Sequence, residues 1–83
     1  MMARIEALWQ DEAGTQRISP GKLEDYSDGG LCIRVNDPIS AGSKLIVQWH
    51  RGKFSGTVVQ CRRQGQEYVL GIKRDAAQKL EGM

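Results

Sequence analysis

Apolar and polar residues alternate with a period of two along most of the chain, the spacing of strands that bury one face. From Ala3 to Gln10, Ile5, Ala7 and Trp9 fall on one side and Arg4, Glu6 and Gln10 on the other, with Leu8 the one residue out of step. Asp11-Glu12-Ala13-Gly14 reads as a reversal, because Asp bonds its own backbone and Gly accepts positive φ. Gln16 to Ser27 returns as a strand that Pro20-Gly21 is expected to break or bulge early, leaving Lys22 to Tyr26 as its firm part. After the turn signal Asp28-Gly29-Gly30, Leu31, Ile33 and Val35 face inward with Cys32 and Arg34 between them. Residues 36–43 form a loop: Pro38 holds Asp37 extended, and Gly42 permits a turn before the next apolar run. Lys44 to Trp49 sets Leu45, Val47 and Trp49 on one face. A hairpin at Arg51-Gly52 leads into Lys53 to Arg63, and one at Gln64-Gly65-Gln66 leads into Glu67 to Lys73, where Tyr68, Leu70 and Ile72 alternate with Val69, Gly71 and Lys73. At Asp75 the pattern changes: Asp75 suits an N-cap, and Ala76, Ala77 and Leu80 among Gln78, Lys79 and Glu81 predict a short helix over about 75–82.

Six strands are too few for two well-covered sheets, and an open sheet would leave unpaired edges. Closure into a small antiparallel barrel removes the edges, and Gly56 and Gly71 inside strands suit the bends of a tightly coiled sheet. The predicted fold is all-β: one domain over 1–83, a six-stranded antiparallel barrel over about 3–74 and the C-terminal helix. Eighty-three residues make one compact core and no deep cleft, which argues against an enzyme. No apolar run approaches the roughly 20 residues of a membrane span, and no secretory segment follows Met1, so the cytoplasm is the expected location. Twelve Lys and Arg against ten Asp and Glu give a net charge of +2, too even for a broad nucleic-acid footprint.

Candidate chemistry is sparse. His50 beside a hairpin has no nucleophile motif with it, and Glu6, Glu12, Glu24 and Asp25 read as solvated strand charges. Cys32 and Cys61 stand far apart with no CxxC spacing, so neither a metal nor a cofactor is expected and both thiols read as reduced packing residues. Trp49, His50 and Phe54 interleaved with Arg51, Lys53 and Arg62-Arg63 outline a stacking groove for single-stranded nucleic acid, the least favoured partner on the charge balance. The most specific feature is Leu23-Glu24-Asp25-Tyr26-Ser27-Asp28-Gly29-Gly30-Leu31-Cys32-Ile33. Asp25 and Ser27, two apart on a strand end, share a face beside glycines that admit another molecule to the backbone, and they could accept hydrogen bonds from a guanine N1–H and amino group. The same residues could serve only the turn, through local side-chain to backbone bonds.

The succession Asp25-x-Ser27-x-x-Gly30 and Leu31-x-Ile33, then Pro38-Ile39-x-x-Gly42-x-x-Leu45-x-Val47, Gly56-x-Val58-Val59 and Tyr68-x-Leu70-Gly71-Ile72, resembles the PilZ domain from about Ala3 to Arg74. That resemblance implies a six-stranded barrel with a terminal helix, and bacterial signalling in which Asp25, Ser27 and Gly30 contact a guanine of cyclic di-GMP. PilZ receptors also carry Arg-x-x-x-Arg ahead of the first strand, as a clamp on the ligand's guanines and phosphates. Arginines stand here at 4, 17, 34, 51, 62, 63 and 74, no two of them four apart, and the chain begins too late to hold that segment. Arg17 and Arg4 are the candidate substitutes. Two charge-assisted arginine contacts contribute about 1.5–3 kcal/mol each, so their loss lowers affinity by roughly two to four orders of magnitude. Weak binding of cyclic di-GMP is the first expectation. A PilZ adaptor that binds a protein partner, through Trp9, Trp49 and the terminal helix, is the alternative.

Overall fold

The computed structural model describes residues 3–50 and 52–75. They form β1 Ala3–Gln10, β2 Gln16–Ser27, β3 Gly30–Val35, β4 Lys44–Trp49, β5 Gly52–Gln64 and β6 Glu67–Arg74. Every neighbouring pair is antiparallel, and the order β1-β2-β3-β6-β5-β4 closes through the β1–β4 ladder into a barrel. The helix predicted over 75–82 lies, beyond Asp75, outside the described residues.

The inward set is the one the alternation predicts. Ile5 and Ala7 of β1, Ile33 and Val35 of β3, and Val47 of β4 are almost fully enclosed with Leu70 and Ile72 of β6. Each enclosed Val, Leu or Ile side chain stabilises the fold by about 1.5–3 kcal/mol. The loop over 36–43 adds Ile39 to this core and is tied down where the Gly42 amide donates to the Val58 carbonyl at 2.7 Å. Trp9 is only 8% exposed and packs in the core, which corrects its reading as a partner contact.

Two irregularities shape the barrel. β2 runs unbroken through Pro20, which pairs with Glu6; its pairing with β3 starts only at Gly21, so Pro20 sits where β2 has β1 as its sole neighbour. On such an edge alternate amides point away from any ladder, and a missing N–H is tolerated. The bulges fall elsewhere, at Glu24 in β2 and at Val59 in β5. Of the two strand glycines read as bends, Gly56 is required: a Cβ there would stand 2.8 Å from Ile72 Cγ2 and 3.1 Å from a Phe54 ring carbon. At Gly71 the nearest atom would be 3.7 Å away, an ordinary contact.

Candidate functional site

β2 carries one residue too many opposite β3. Leu23 pairs with Ile33 and Asp25 pairs with Cys32, so Glu24 is the extra residue of a β-bulge. Leu23 packs against the core, and unbroken alternation would send Asp25 inward as well. The bulge reverses this. Asp25 and Ser27 take the register of Cys32 and Gly30, on the outer face of the barrel, and both are exposed. Tyr26, opposite Leu31, turns toward the barrel end, where its ring meets Trp49 edge-on at 6.3 Å. Glu24 stays outside and accepts from Arg34 Nε at 2.6 Å, with Glu67 on the far side of the same guanidinium at 3.4 Å.

Asp25 and Ser27 border a shallow depression of about 390 Å³ that crosses four strands. Its floor is Gly30 and Cys32 of β3 and Gly71 of β6, and its far rim is Lys73 of β6 and the bulged Val59 of β5, which is 57% exposed. The barrel's two bulges therefore flank one face. Asp25 Oδ1 accepts the Tyr26 amide at 2.8 Å, which fixes the carboxylate against the strand. Among the described residues its second oxygen has no protein partner and is open to a ligand donor. The Ser27 hydroxyl makes one long bond, 3.4 Å to the Gly30 carbonyl. Lys73 stands directly opposite Gly30 and supplies a positive charge to an otherwise acidic and neutral rim. Burial, reinforced by the negative charges of Glu24 and Asp25, pushes the Cys32 thiol above its ordinary 9.0, so it lines the floor uncharged near neutral pH.

Gly30 and the turn before it are held by β6. A Cβ on Gly30 would fall well inside contact distance of the Ile72 carbonyl oxygen, so the close approach of β3 to β6 requires glycine there whether or not a ligand binds. Arg74 then fastens the turn. Its amide donates to the Gly29 carbonyl and its Nε to the Asp28 carbonyl, both at 3.0 Å, while the guanidinium lies 4.7 Å from the centre of the Phe54 ring.

The other candidate residues are placed apart from this face. Arg17 is eight residues before Asp25 on the same strand, a rise of roughly 26 Å, and it pairs with Asp11 at 3.3 Å. Arg4 lies one strand away, opposite Lys22, at about 11 Å from Asp25 by strand spacing and rise. Lys53 and Arg62 sit nine positions apart on β5, on the order of 30 Å, and do not make one cationic groove with Trp49; Arg51 is outside the described residues. Lys73 and Arg74 were not foreseen as part of the site. The alternation sets Lys73 facing outward, but only the β3–β6 pairing brings it to Gly30.

Among the described residues no three His, Cys, Asp or Glu side chains gather where a metal ion could be held. No curated protein matches the chain. The family profile described as the PilZ domain matches residues 3–82, which takes in the whole barrel and the face just described. By that match and by its closed six-stranded architecture, the chain belongs to the PilZ domain family, whose members are binding and adaptor modules.

Proposed function

We propose that this PilZ barrel is a cytoplasmic signalling module that binds cyclic di-GMP on its outer face, with Asp25, Ser27 and the Gly30 backbone as the guanine contacts. One observation carries the reading: the Glu24 bulge turns Asp25 and Ser27 out together, with an unpartnered carboxylate oxygen beside a floor of two glycines. A guanine presents two adjacent donors on its Watson–Crick edge, and a carboxylate next to a hydroxyl is their complement. Lys73 is the cation that lines the depression and is placed to meet a phosphate, whereas Arg4 and Arg17 do not line it. An ammonium meets a phosphate as a point charge, more weakly than a bidentate guanidinium does. No helix among the described residues is long and apolar enough to cross a membrane.

Titration of the labelled protein with cyclic di-GMP, followed by amide chemical shifts, tests this. The expected shifts cluster at 25–32 and 71–73, and Asp25→Ala or Ser27→Ala removes them. Absence of any shift at about 1 mM ligand would end the receptor reading. The adaptor reading would then stand, favoured by the apolar stripe that the opposite side of the barrel turns to solvent.

A further inference from the structure

Leu8, the one residue out of step in β1, faces outward, and its cross-strand partners on both sides are apolar too: Ile18 on β2 and Ile46 on β4. The three make a rung across the outer face, with Ile18 59% and Ile46 38% exposed. The adjoining outward positions are Gln16, Gln10 and Lys44 on one side, with Lys44 paired to Asp75 at 3.3 Å, and Pro20, Glu6 and Gln48 on the other. An uncharged apolar centre with a mostly polar surround is the make-up of an interface core and its rim.

Charge along the β1–β2 hairpin is antisymmetric about that rung. Four residues before Leu8 stands Arg4, directly opposite Lys22; four residues after it stands Glu12, in the turn. Like charges facing each other across a ladder destabilise it, and among the described residues neither Arg4 nor Lys22 takes part in an ion pair. Glu12 takes part in none either, whereas its neighbour Asp11 is engaged by Arg17 and by the amides of Ala13 and Thr15.

We propose that this face is a two-fold interface between two copies of the chain, packed face to face with their β1 strands antiparallel and the axis along the Ile18-Leu8-Ile46 rung. That operator lays Leu8 on Leu8 and brings Arg4 and Lys22 of each copy over Glu12 of the other, once at each end. An axis along β1 would instead oppose Arg4 to Arg4 and Glu6 to Glu6, so the charge pattern selects between the two arrangements. The face spans three strands and about nine residues, roughly 400 Å² per copy or 800 Å² in all at ordinary strand spacing, which is the size of a weak, transient contact. Association is therefore weak and concentration-dependent, with a Kd of about 10–1000 µM. β1 lies opposite β6 in the closed order, so both Asp25–Lys73 depressions stay open in the pair and the interface is independent of the ligand reading.

Sedimentation velocity over about 10 µM to 2 mM tests the proposal on the whole chain. The wild type should shift from monomer to dimer, and Ile18→Lys or Ile46→Lys, each at an exposed position, should weaken association about tenfold or more while thermal melting shows the barrel intact. Arg4→Glu and Glu12→Arg should each associate more weakly than the wild type, because each sets positions 4 and 12 like-charged at both ends of the pair. An equimolar mixture of those two variants should associate better than either alone, since the contact between positions 4 and 12 is then attractive at both ends. A wild type that remains monomeric throughout overturns the proposal and leaves the stripe to residues 76–83 or to a different protein. Association unmoved by Ile18→Lys, or a mixture that associates no better than its components, overturns it equally.

Discussion

Two strand glycines of this barrel should respond in opposite directions to the same substitution. In Gly30→Ala the new methyl would sit about 1 Å closer to the Ile72 carbonyl oxygen than an ordinary C···O contact allows. The obstacle is backbone in a paired strand, held on its other side by β5, so it cannot rotate aside; the β3–β6 ladder must open locally. Overpacking of this kind costs about 1–3 kcal/mol, and a backbone obstacle places Gly30→Ala at the upper end. For a domain of this size that lowers Tm by roughly 10–20 °C. Gly71→Ala meets nothing nearer than 3.7 Å and needs no unusual φ, so it restricts the unfolded chain without straining the folded one and should be neutral or stabilising by up to about 1 kcal/mol. Urea midpoints and thermal melts of both variants decide the matter. A Gly30→Ala protein within about 0.5 kcal/mol of wild type, or equal losses at both positions, would refute the steric reasoning. The distinction bears on the site, because loss of a ligand on Gly30→Ala would then report a displaced strand and not a lost contact.

Arg74→Ala removes the bond to the Asp28 carbonyl and the cation over Phe54 while keeping its own amide bond to Gly29, and should cost about 1–2 kcal/mol in urea denaturation. Asp11 is held below its ordinary 3.8 first by the Thr15 amide, then by the Ala13 amide and Arg17. A depressed carboxylate stabilises the fold above its unfolded value and loses that contribution as pH falls through its folded value, so Asp11→Asn should flatten the loss of Tm below about pH 4. Cys32 should react with iodoacetamide more slowly than free cysteine at pH 8 and faster as pH passes 9.0, and Asp25→Asn should speed it; labelling of Cys32 at the free-thiol rate would contradict the assigned burial and charge effects.

The strands were readable because each half-buried strand writes its period directly into the residue order, and all six appear at their predicted places. Which strands close the barrel was not readable, since β3 and β6 are separated by two others, and with that pairing went the placement of Lys73 and Arg74. A spacing of two residues puts Asp25 and Ser27 on one face, but which face depends on the bulge at Glu24. Glu24 and Asp25 are both acidic and both at ease outside, so the side chains carry no signal of the extra residue. Pro20 was over-read for the converse reason: a proline breaks a central strand, whereas an edge segment absorbs it. Arg17 looked adjacent to the motif in sequence, yet a strand extends its residues over the longest distance a chain can span. Trp9 belonged to the inward set all along.

The bonds from Arg74 to the 28–29 turn also set an order of events in biosynthesis. β3 leaves the ribosome about 40 residues ahead of its second partner, and at roughly 5–20 residues per second it waits on the order of seconds with one edge unpaired. During that interval the Asp25 turn exists as half of a hairpin, without the strand that seats Gly30 or the cation across from it. The face proposed to take the dinucleotide is thus among the last parts of the protein to be completed. A messenger cut short before the codons of β6 would yield a chain with the whole motif in its sequence but without the strand that seats Gly30 and carries Lys73.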